Sequence, residues 1–379
     1  MNELILKNAQ LVLGDEVVSG HVSVRDGLIA DISAGDTALP GADLEGDFLV
    51  PGLVELHTDN LEKHVTPRPG VVWPMHSAVL AHDAQVAAAG ITTVFDAIAL
   101  GDVLPVSFRT ENLTAMADGI EAAAAAGILR AEHFLHLRCE VCYPTLPDLL
   151  AELIDRPIVR FASIMDHTPG QRQFVSMEAY AGYYQVKYNL SDTEFAAFVE
   201  QRCNEQKLYA EKHRRFTVDA CHSRVIPLAS HDDATADHVV EAERDGLVIA
   251  EFPTTLAAAE ASGAAGMGVM MGAPNLIRGG SHSGNVSARD LAARGLVDIL
   301  SSDYVPASLL PAAFLMAEVV DGIDLPRAIR TVATDPAARV GLSDRGEIAI
   351  GKRADLVRVR NLPVGRVVRT VWREGDRVI

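Results

Sequence analysis

The chain has 379 residues, 49% hydrophobic and 22% charged, with a formal net charge of −18 at pH 7, which fits a globular enzyme with one large domain and one small one. This charge argues against nucleic acid or an anionic membrane as a partner, because their phosphates would be repelled over most of the surface. No apolar run approaches the roughly 20 residues that span a bilayer and the first residues lack the features of a secretory signal, so we expect a cytoplasmic protein.

Short strands are predicted at both ends of the chain. Turn residues separate short apolar runs at 3–6, 9–13, 22–24 and 28–32. The same pattern of short runs and turn residues occurs at 346–351, 355–359 and 367–372. Two strand-rich ends that flank one long middle suggest that the ends pair with each other in space. We predict a small β-sandwich domain built from 1–50 and 346–379.

The middle of the chain, 51–345, alternates short apolar runs with alanine-rich helical stretches such as His82–Ala89, Leu113–Ala126 and Asp192–Arg214. The candidate strands cover 53–57, 91–98, 132–138, 157–165, 226–231, 247–253, 267–273 and 297–302. Eight strand–helix units of this size predict a (β/α)₈ TIM-like barrel.

The end of the first barrel strand carries His57 and Asp59. In such barrels the functional side chains lie at the C-terminal ends of the strands, and residues two apart on an extended strand point to the same side. Imidazole nitrogen and carboxylate oxygen both bind zinc or a similar divalent ion. A single histidine at a strand end usually has no such role, but the aspartate at this spacing favours a metal site.

Other predicted strands also end in ligand-type residues. The third ends at Glu140, the fourth leads into His167, the fifth ends at His231 and the eighth leads into Asp303. Because these ends converge at the barrel mouth, we predict a metal-dependent active site there. Glu251 ends the sixth strand, and the sequence leaves open whether it binds metal or belongs to a structural turn.

Several strings resemble motifs of the amidohydrolase superfamily: Val50–His57, Ser302–Asp303 and Gly346–Val357. A narrower resemblance, to the α-D-ribose 1-methylphosphonate 5-triphosphate diphosphatases of the carbon–phosphorus lyase pathway, rests on strings spread over the whole barrel: HTDNLEKH at 57–64, HLRCE at 136–140, MDHTPGQRQ at 165–173, ASHDD at 229–233 and SSDY at 301–304. The resemblance implies a metal-dependent hydrolase that releases pyrophosphate from this ribosyl triphosphate, leaving the 5-phosphate, in phosphonate catabolism.

The same resemblance implies five metal ligands: His57, Asp59, Glu140, His167 and His231. The first two would hold one ion, the last two a second, and Glu140 would bridge or bind from the third strand. Asp303 would orient the attacking water and act as the catalytic acid–base. Most of the superfamily has histidine where Asp59 stands, and no lysine lies at a strand end to form a carboxylated bridge, so one ion or two remains open. Zinc is the expected metal, with manganese or iron as alternatives.

A phosphorylated small-molecule substrate needs local positive charge on so acidic a protein. The candidates lie near strand ends or in a loop: Lys63, Arg68, Arg138, Arg172, Arg278 and His282. The glycine- and serine-rich stretch 263–284 could offer backbone N–H groups to phosphate oxygens. The alternative is a flexible barrel loop without a ligand.

Two other functions compete with the diphosphatase hypothesis. One is an amide-bond hydrolase or deacetylase of the same superfamily, against which the basic and glycine-rich residues near the mouth argue. The other is a non-catalytic scaffold homologue, against which the joint presence of the candidate ligands and Asp303 argues. We further expect a homo-oligomer, associated with other enzymes of the phosphonate pathway.

Overall fold

The computed structural model describes residues 3–104, 107–172, 177–281 and 284–379. Two eight-stranded sheets organise these residues. One sheet combines strands from both ends of the chain, and the other forms a barrel from the middle. Within the described ranges, no helix combines the length and the apolar character needed to cross a membrane.

The barrel sheet contains parallel strands in chain order, from β6 to β13. Their bounds are β6 Leu53–Thr58, β7 Ile91–Leu100, β8 Glu132–Glu140, β9 Val159–Met165, β10 Leu228–His231, β11 Ile249–Glu251, β12 Gly268–Gly272 and β13 Ile299–Ser301. All eight overlap the predicted strands, which confirms the TIM-like barrel. The last strand returns beside the first, where the backbone N–H of Asp303 donates to the carbonyl of His57 at 3.1 Å.

Helices connect the strands and surround the barrel. The described residues contain α1 Asn60–Val65, α2 Met75–Ala88, α3 Phe108–Ala125, α4 Leu146–Leu153, α5 Met177–Tyr180, α6 Val186–Tyr188, α7 Asp192–His222, α8 Ala236–Arg244, α9 Leu256–Ala264, α10 Ala273–Arg278, α11 Ala288–Ala293, α12 Leu309–Val319, α13 Leu325–Arg330 and α14 Thr334–Arg339. A π-helical turn, Ala181–Gln185, joins α5 to α6. The longest helix, α7, begins at a capping box in which Ser191 and Glu194 satisfy each other's backbone N–H groups.

The two ends of the chain pair in one mixed sheet, as the sequence predicts. Its strands are β1 Glu3–Val12, β2 Val17–Arg25, β3 Leu28–Ala34, β4 Ala42–Asp43, β5 Phe48–Pro51, β14 Leu356–Leu362, β15 Gly365–Arg373 and β16 Asp376–Arg377. The short β5 joins the two ends, because it pairs with β1 on one side and with β14 on the other. Ile29 of β3 donates to the carbonyl of Lys352 at 2.9 Å, and the sheet has an apolar core of its own that includes Leu11, Leu49 and Trp372.

The interior of the barrel is filled by apolar side chains. Most strands contribute to this layer, which includes Val54, Leu56, Phe95, Phe161, Ala229, Ile249, Met270 and Ile299. The barrel is therefore a packed core and not a pore. The polar side chains of the strand ends lie above this apolar layer.

Candidate metal centre and substrate cavity

A cavity of about 520 Å³ lies at the C-terminal ends of the barrel strands. Eight of the residues predicted from the sequence line it: His57, Asp59, Arg138, Glu140, His167, His231, Arg278 and Asp303. The fold thus brings together side chains from five strand ends and from α10. Arg109, Lys187 and Asp232 also line the cavity. Asp232 belongs to the string at 229–233 without having been given a role, and no sequence motif contains Arg109 or Lys187.

The other predicted substrate contacts lie elsewhere. Lys63 donates to the backbone carbonyl of Tyr304, and its Nζ lies 5.2 Å from the centroid of that ring. Arg68 is exposed and pairs with Val71 in the loop after α1. Neither of them lines the cavity, and His282 lies outside the described residues.

Arg172 was expected to contact substrate, but its side chain is buried beneath the end of β10. Its Nη1 donates to Ser230 Oγ at 3.0 Å, to the carbonyl of His231 at 3.1 Å and to the carboxylate of Asp233. With its donors engaged in this way, the guanidinium supports the backbone that carries His231. This geometry corrects the sequence interpretation, which made Arg172 a candidate anion binder because it follows the fourth strand.

Glu251 joins two of the candidate metal ligands. It is fully buried at the end of β11, where His57 Nδ1 donates to Oε1 at 2.6 Å and His231 Nδ1 donates to Oε2 at 2.5 Å. Burial alone would raise the pKa of Glu251, but the neighbouring histidines hold it well below its ordinary value. Histidines that bind metal characteristically donate their other ring N–H to a carboxylate, so Glu251 is placed to orient both rings. The Nε2 atoms are then the nitrogens that an ion could reach, and Nε2 of His231 lies 3.2 Å from Asp232 Oδ2.

His167 has the same arrangement with a different acid. Its Nδ1 lies 2.6 Å from Glu140 Oε2, and its backbone N–H donates to Oε1 at 3.3 Å. These contacts favour an orienting role for Glu140 behind His167, while the ligand or bridge role that the sequence interpretation gave it stays a prediction. Ligand atoms of His167, His231 and Asp232 all lie within 4.8 Å of one another, which is close enough to share an ion.

Two further acids face the same space. Asp59 Oδ1 is buried and has no hydrogen-bond partner among the described residues. Burial and the charge of Asp59 both raise the pKa of the Asp303 carboxyl. Arg109 Nη2 lies 3.8 Å from the other oxygen, Asp59 Oδ2, and a buried carboxylate oxygen such as Oδ1 is costly unless a donor or a cation meets it. The donor set of imidazole nitrogens and carboxylate oxygens therefore fits a divalent ion.

Left-handed residues turn the chain at three of these strand ends. Asp232, Phe252 and Asp303 follow β10, β11 and β13, with φ of 58°, 56° and 54°. For residues other than glycine this conformation stores strain of roughly 1–3 kcal/mol each. The same turn at three strand ends indicates that it helps to place His231, Glu251 and Asp303.

Positive side chains occupy the wall of the cavity. Arg138 is only 9% exposed, and its Nε has no hydrogen-bond partner among the described residues. Its charge acts on the nearby acids Glu62 and Asp303, and its nearly buried guanidinium can also donate to an anionic ligand in the cavity. Arg278 lies at the exposed edge of the same cavity. The cavity thus combines candidate ligands for a cation with positive side chains that could meet an anion.

Comparison with known proteins identifies the relatives of the chain. It is 50% identical over 377 residues to the α-D-ribose 1-methylphosphonate 5-triphosphate diphosphatase of Escherichia coli strain K12, a match that covers 99% of this chain and 100% of the relative. The chain belongs to this diphosphatase family. The identity confirms the resemblance drawn from the short strings, since it extends over the barrel and the end sheet alike.

Solved structures support the fold of this diphosphatase family member. An amidohydrolase structure matches with a TM-score of 0.63 and 15% identity, covering 99% of this chain and 98% of that one. The N-acetyl-D-glucosamine-6-phosphate deacetylase of Mycobacterium smegmatis matches with a TM-score of 0.63 and 16% identity over the full length of both chains. No protein-family model matches the chain.

Proposed function

We propose that this protein is a metal-dependent hydrolase that cleaves α-D-ribose 1-methylphosphonate 5-triphosphate to pyrophosphate and the 5-phosphate. The observation that carries the proposal is the 50% identity to the Escherichia coli diphosphatase over 99% of the chain. The cavity supports it, because possible ligands for a cation and the nearly buried Arg138 lie in one space of a size suited to a small molecule.

We propose that the Nε2 atoms of His57, His167 and His231, together with Asp59, hold the ion, with Glu251 and Glu140 orienting the three rings from behind. Zinc suits this nitrogen and oxygen donor set, and manganese or iron are the alternatives. When bound, a divalent ion supplies activation of water at neutral pH and neutralises negative charge on a phosphoryl group.

The residues of the chain supply the rest of the chemistry. Asp303 lies beside Asp59 and its side chain faces the cavity, so we propose that it accepts the proton of the attacking water and returns it to the products. Arg138 would pair with the phosphate oxygens that gain charge as the phosphoanhydride bond breaks. Arg278, at the edge, would contact a more distant anionic group of the substrate.

We further propose a cytoplasmic location, a homo-oligomeric state and association with other enzymes of phosphonate catabolism. An oligomer would show as a multiple of 40.6 kDa in sedimentation at micromolar concentration, and a single 40.6 kDa species would contradict it.

The test of the function is a pyrophosphate-release assay on the ribosyl triphosphate, coupled to metal analysis of the same preparation. We expect pyrophosphate from the wild type, and loss of both metal and activity in His231→Asn. His21→Asn is the control, because His21 belongs to β2 of the end sheet. Ammonia or carboxylate release from amide substrates, without pyrophosphate from the triphosphate, would instead favour the amide-bond hydrolase. A purified protein that binds no metal would favour the scaffold.

A further inference from the structure

Arg202, on α7, has the largest fully buried side chain in the described part of the protein. It belongs to no motif, and it does not line the cavity. A buried guanidinium requires carboxylate partners, and Arg202 has two. Its Nη1 bonds to Glu205 Oε2 on the same helix at 2.8 Å, and its Nη2 bonds to Glu140 Oε1 at 3.3 Å. One of its two ion pairs is therefore directed at the candidate metal centre.

The two oxygens of Glu140 have different partners. Oε2 bonds to His167 Nδ1 at 2.6 Å, while Oε1 receives the backbone N–H of His167 and Nη2 of Arg202, each at 3.3 Å. The contact from Arg202 comes from a helix outside the barrel and fixes the rotation of the carboxylate about its last side-chain bond. Without it, Oε1 would lose the one of these two contacts that comes from outside the His167 backbone.

Among the three candidate histidines, His167 depends most on its carboxylate. His57 and His231 stand on barrel strands and share Glu251, and their side chains are 2% and 6% exposed. His167 instead follows the end of β9, and its side chain is 16% exposed. Anything that moves Glu140 therefore moves the ring of His167 more readily than the other two.

We propose that Arg202 is a positioning residue: it holds Glu140 so that His167 presents Nε2 to the divalent ion, and it thereby sets the affinity of the centre for metal. This inference rests on the metal-dependent hydrolysis proposed above. It also means that α7, part of the long segment between β9 and β10, takes part in the assembly of the metal centre.

The experiment measures the affinity of the purified full-length protein for Zn²⁺ by competition with a chromophoric chelator. We expect Arg202→Met to bind Zn²⁺ about 10- to 100-fold more weakly than the wild type, the usual effect of losing a residue that supports a metal ligand. The control is Arg345→Met. Arg345 has a side chain only 6% exposed and pairs with Glu132 and Asp344 at the other end of the barrel. Both variants should lose thermal stability, but only Arg202→Met should lose affinity.

A second comparison tests whether the effect passes through Glu140. In a Glu140→Gln background, Arg202→Met should weaken Zn²⁺ binding no further. Arg202 acts through Glu140, and the effects of two substitutions in one line of contacts are not additive. Should Arg202→Met fail to fold, Arg202→Lys keeps the charge but loses the planar fork, and an intermediate loss of affinity at nearly normal stability is expected.

Wild-type affinity in Arg202→Met or Arg202→Lys would overturn the proposal, as would full additivity with Glu140→Gln. A wild type that binds Zn²⁺ but releases no pyrophosphate would refute the proposed function and leave the comparison of affinities intact.

Discussion

Glu55, on the first barrel strand, accepts a hydrogen bond of 2.6 Å from the backbone N–H of Ser302, the residue that follows the last strand. The same buried carboxylate accepts the backbone N–H of His57 at 2.7 Å and the hydroxyl of Ser301 at 2.8 Å. It therefore closes the seam between β6 and β13 directly below the residues that carry the candidate centre. A charged residue inside the barrel has here a structural task that the sequence motifs did not reveal.

The first prediction concerns this seam. Glu55→Leu keeps the size of the side chain but leaves the backbone N–H groups of His57 and Ser302 without an acceptor. Each buried unsatisfied donor costs about 1–3 kcal/mol, so the free energy of unfolding should fall by ~2–6 kcal/mol. Urea denaturation measures it, with Glu16→Leu at an exposed position as the control. Equal loss in the two variants would refute this account of the seam.

The second prediction separates proton transfer from metal binding. Asp303→Asn keeps the shape of the side chain and the backbone bond to His57, but it removes the proton acceptor. We expect kcat to fall by roughly 10²- to 10⁴-fold while metal content stays at the wild-type level, because the histidines remain. Steady-state rates and metal analysis on one preparation test this, with the helix-surface variant Asp290→Asn as the control. Near-normal kcat would transfer the role to another acid, with Asp232 as the next candidate.

The third prediction compares two arginines of the cavity wall. The charge of Arg138 is screened little because the side chain is nearly buried, whereas water screens the exposed Arg278. Arg138→Met should therefore raise the KM for the triphosphate by about 10- to 100-fold, as expected for a charge-assisted hydrogen bond, and Arg278→Met by only a few-fold. Arg160→Met, at the start of β9, is the control. If the two KM values rise equally, the site of strongest phosphate contact lies nearer the edge.

The fourth prediction concerns pH and a buried cluster outside the cavity. His133 Nδ1 lies 2.7 Å from Asp96 Oδ2, and its Nε2 lies 3.4 Å from Asp83 Oδ1. Burial lowers the pKa of His133, but the two aspartates outweigh it and raise the pKa to about 9. As the pH rises, His133 therefore loses its proton in the unfolded state, where its pKa is about 6.5, before it loses it in the folded state.

The stability that this proton contributes is complete below pH 6.5 or so and is lost as the pH rises through about 9. Between these values, one proton changes the free energy of unfolding by up to about 1.4 kcal/mol per pH unit. Urea denaturation over this range should show a smaller fall with pH in His133→Gln than in the wild type or in His21→Gln. Identical slopes in all three proteins would exclude His133 as the source.

Much of the fold was predictable because it is local in the sequence. The barrel strands are short apolar runs, and their order in the sheet is their order in the chain. His57 and Asp59 could be found because a spacing of two on a strand end has a geometric meaning. Pairing of the two chain ends was predictable as well, because both ends contain short strands bounded by turn residues, whereas the middle alternates strands with helices.

The contacts around the candidate centre were not predictable, because they depend on how distant strands lie side by side. Glu251 was an open choice between ligand and turn until β11 placed it between two histidine rings. Arg202 looked like an ordinary charge on a polar helix, and no periodicity shows that this one position faces Glu140. Arg172 misled the sequence interpretation, since the left-handed residue at that position (φ 45°) sends its side chain under β10 and away from the mouth.

The pairing of β5 with β14 has a consequence for the order in which the protein can be made. Arg358 on β14 bonds to Asp47, just before β5, at 2.5 Å across a separation of 311 residues. The ribosome must therefore synthesise all the barrel strands, with the acids and histidines at their ends, before β14 is available to pair with β5. Throughout synthesis β5 would wait with one edge unpaired, and such an edge can pair with another chain. Pairing of this edge with another chain would occur most readily when the protein is expressed at high concentration.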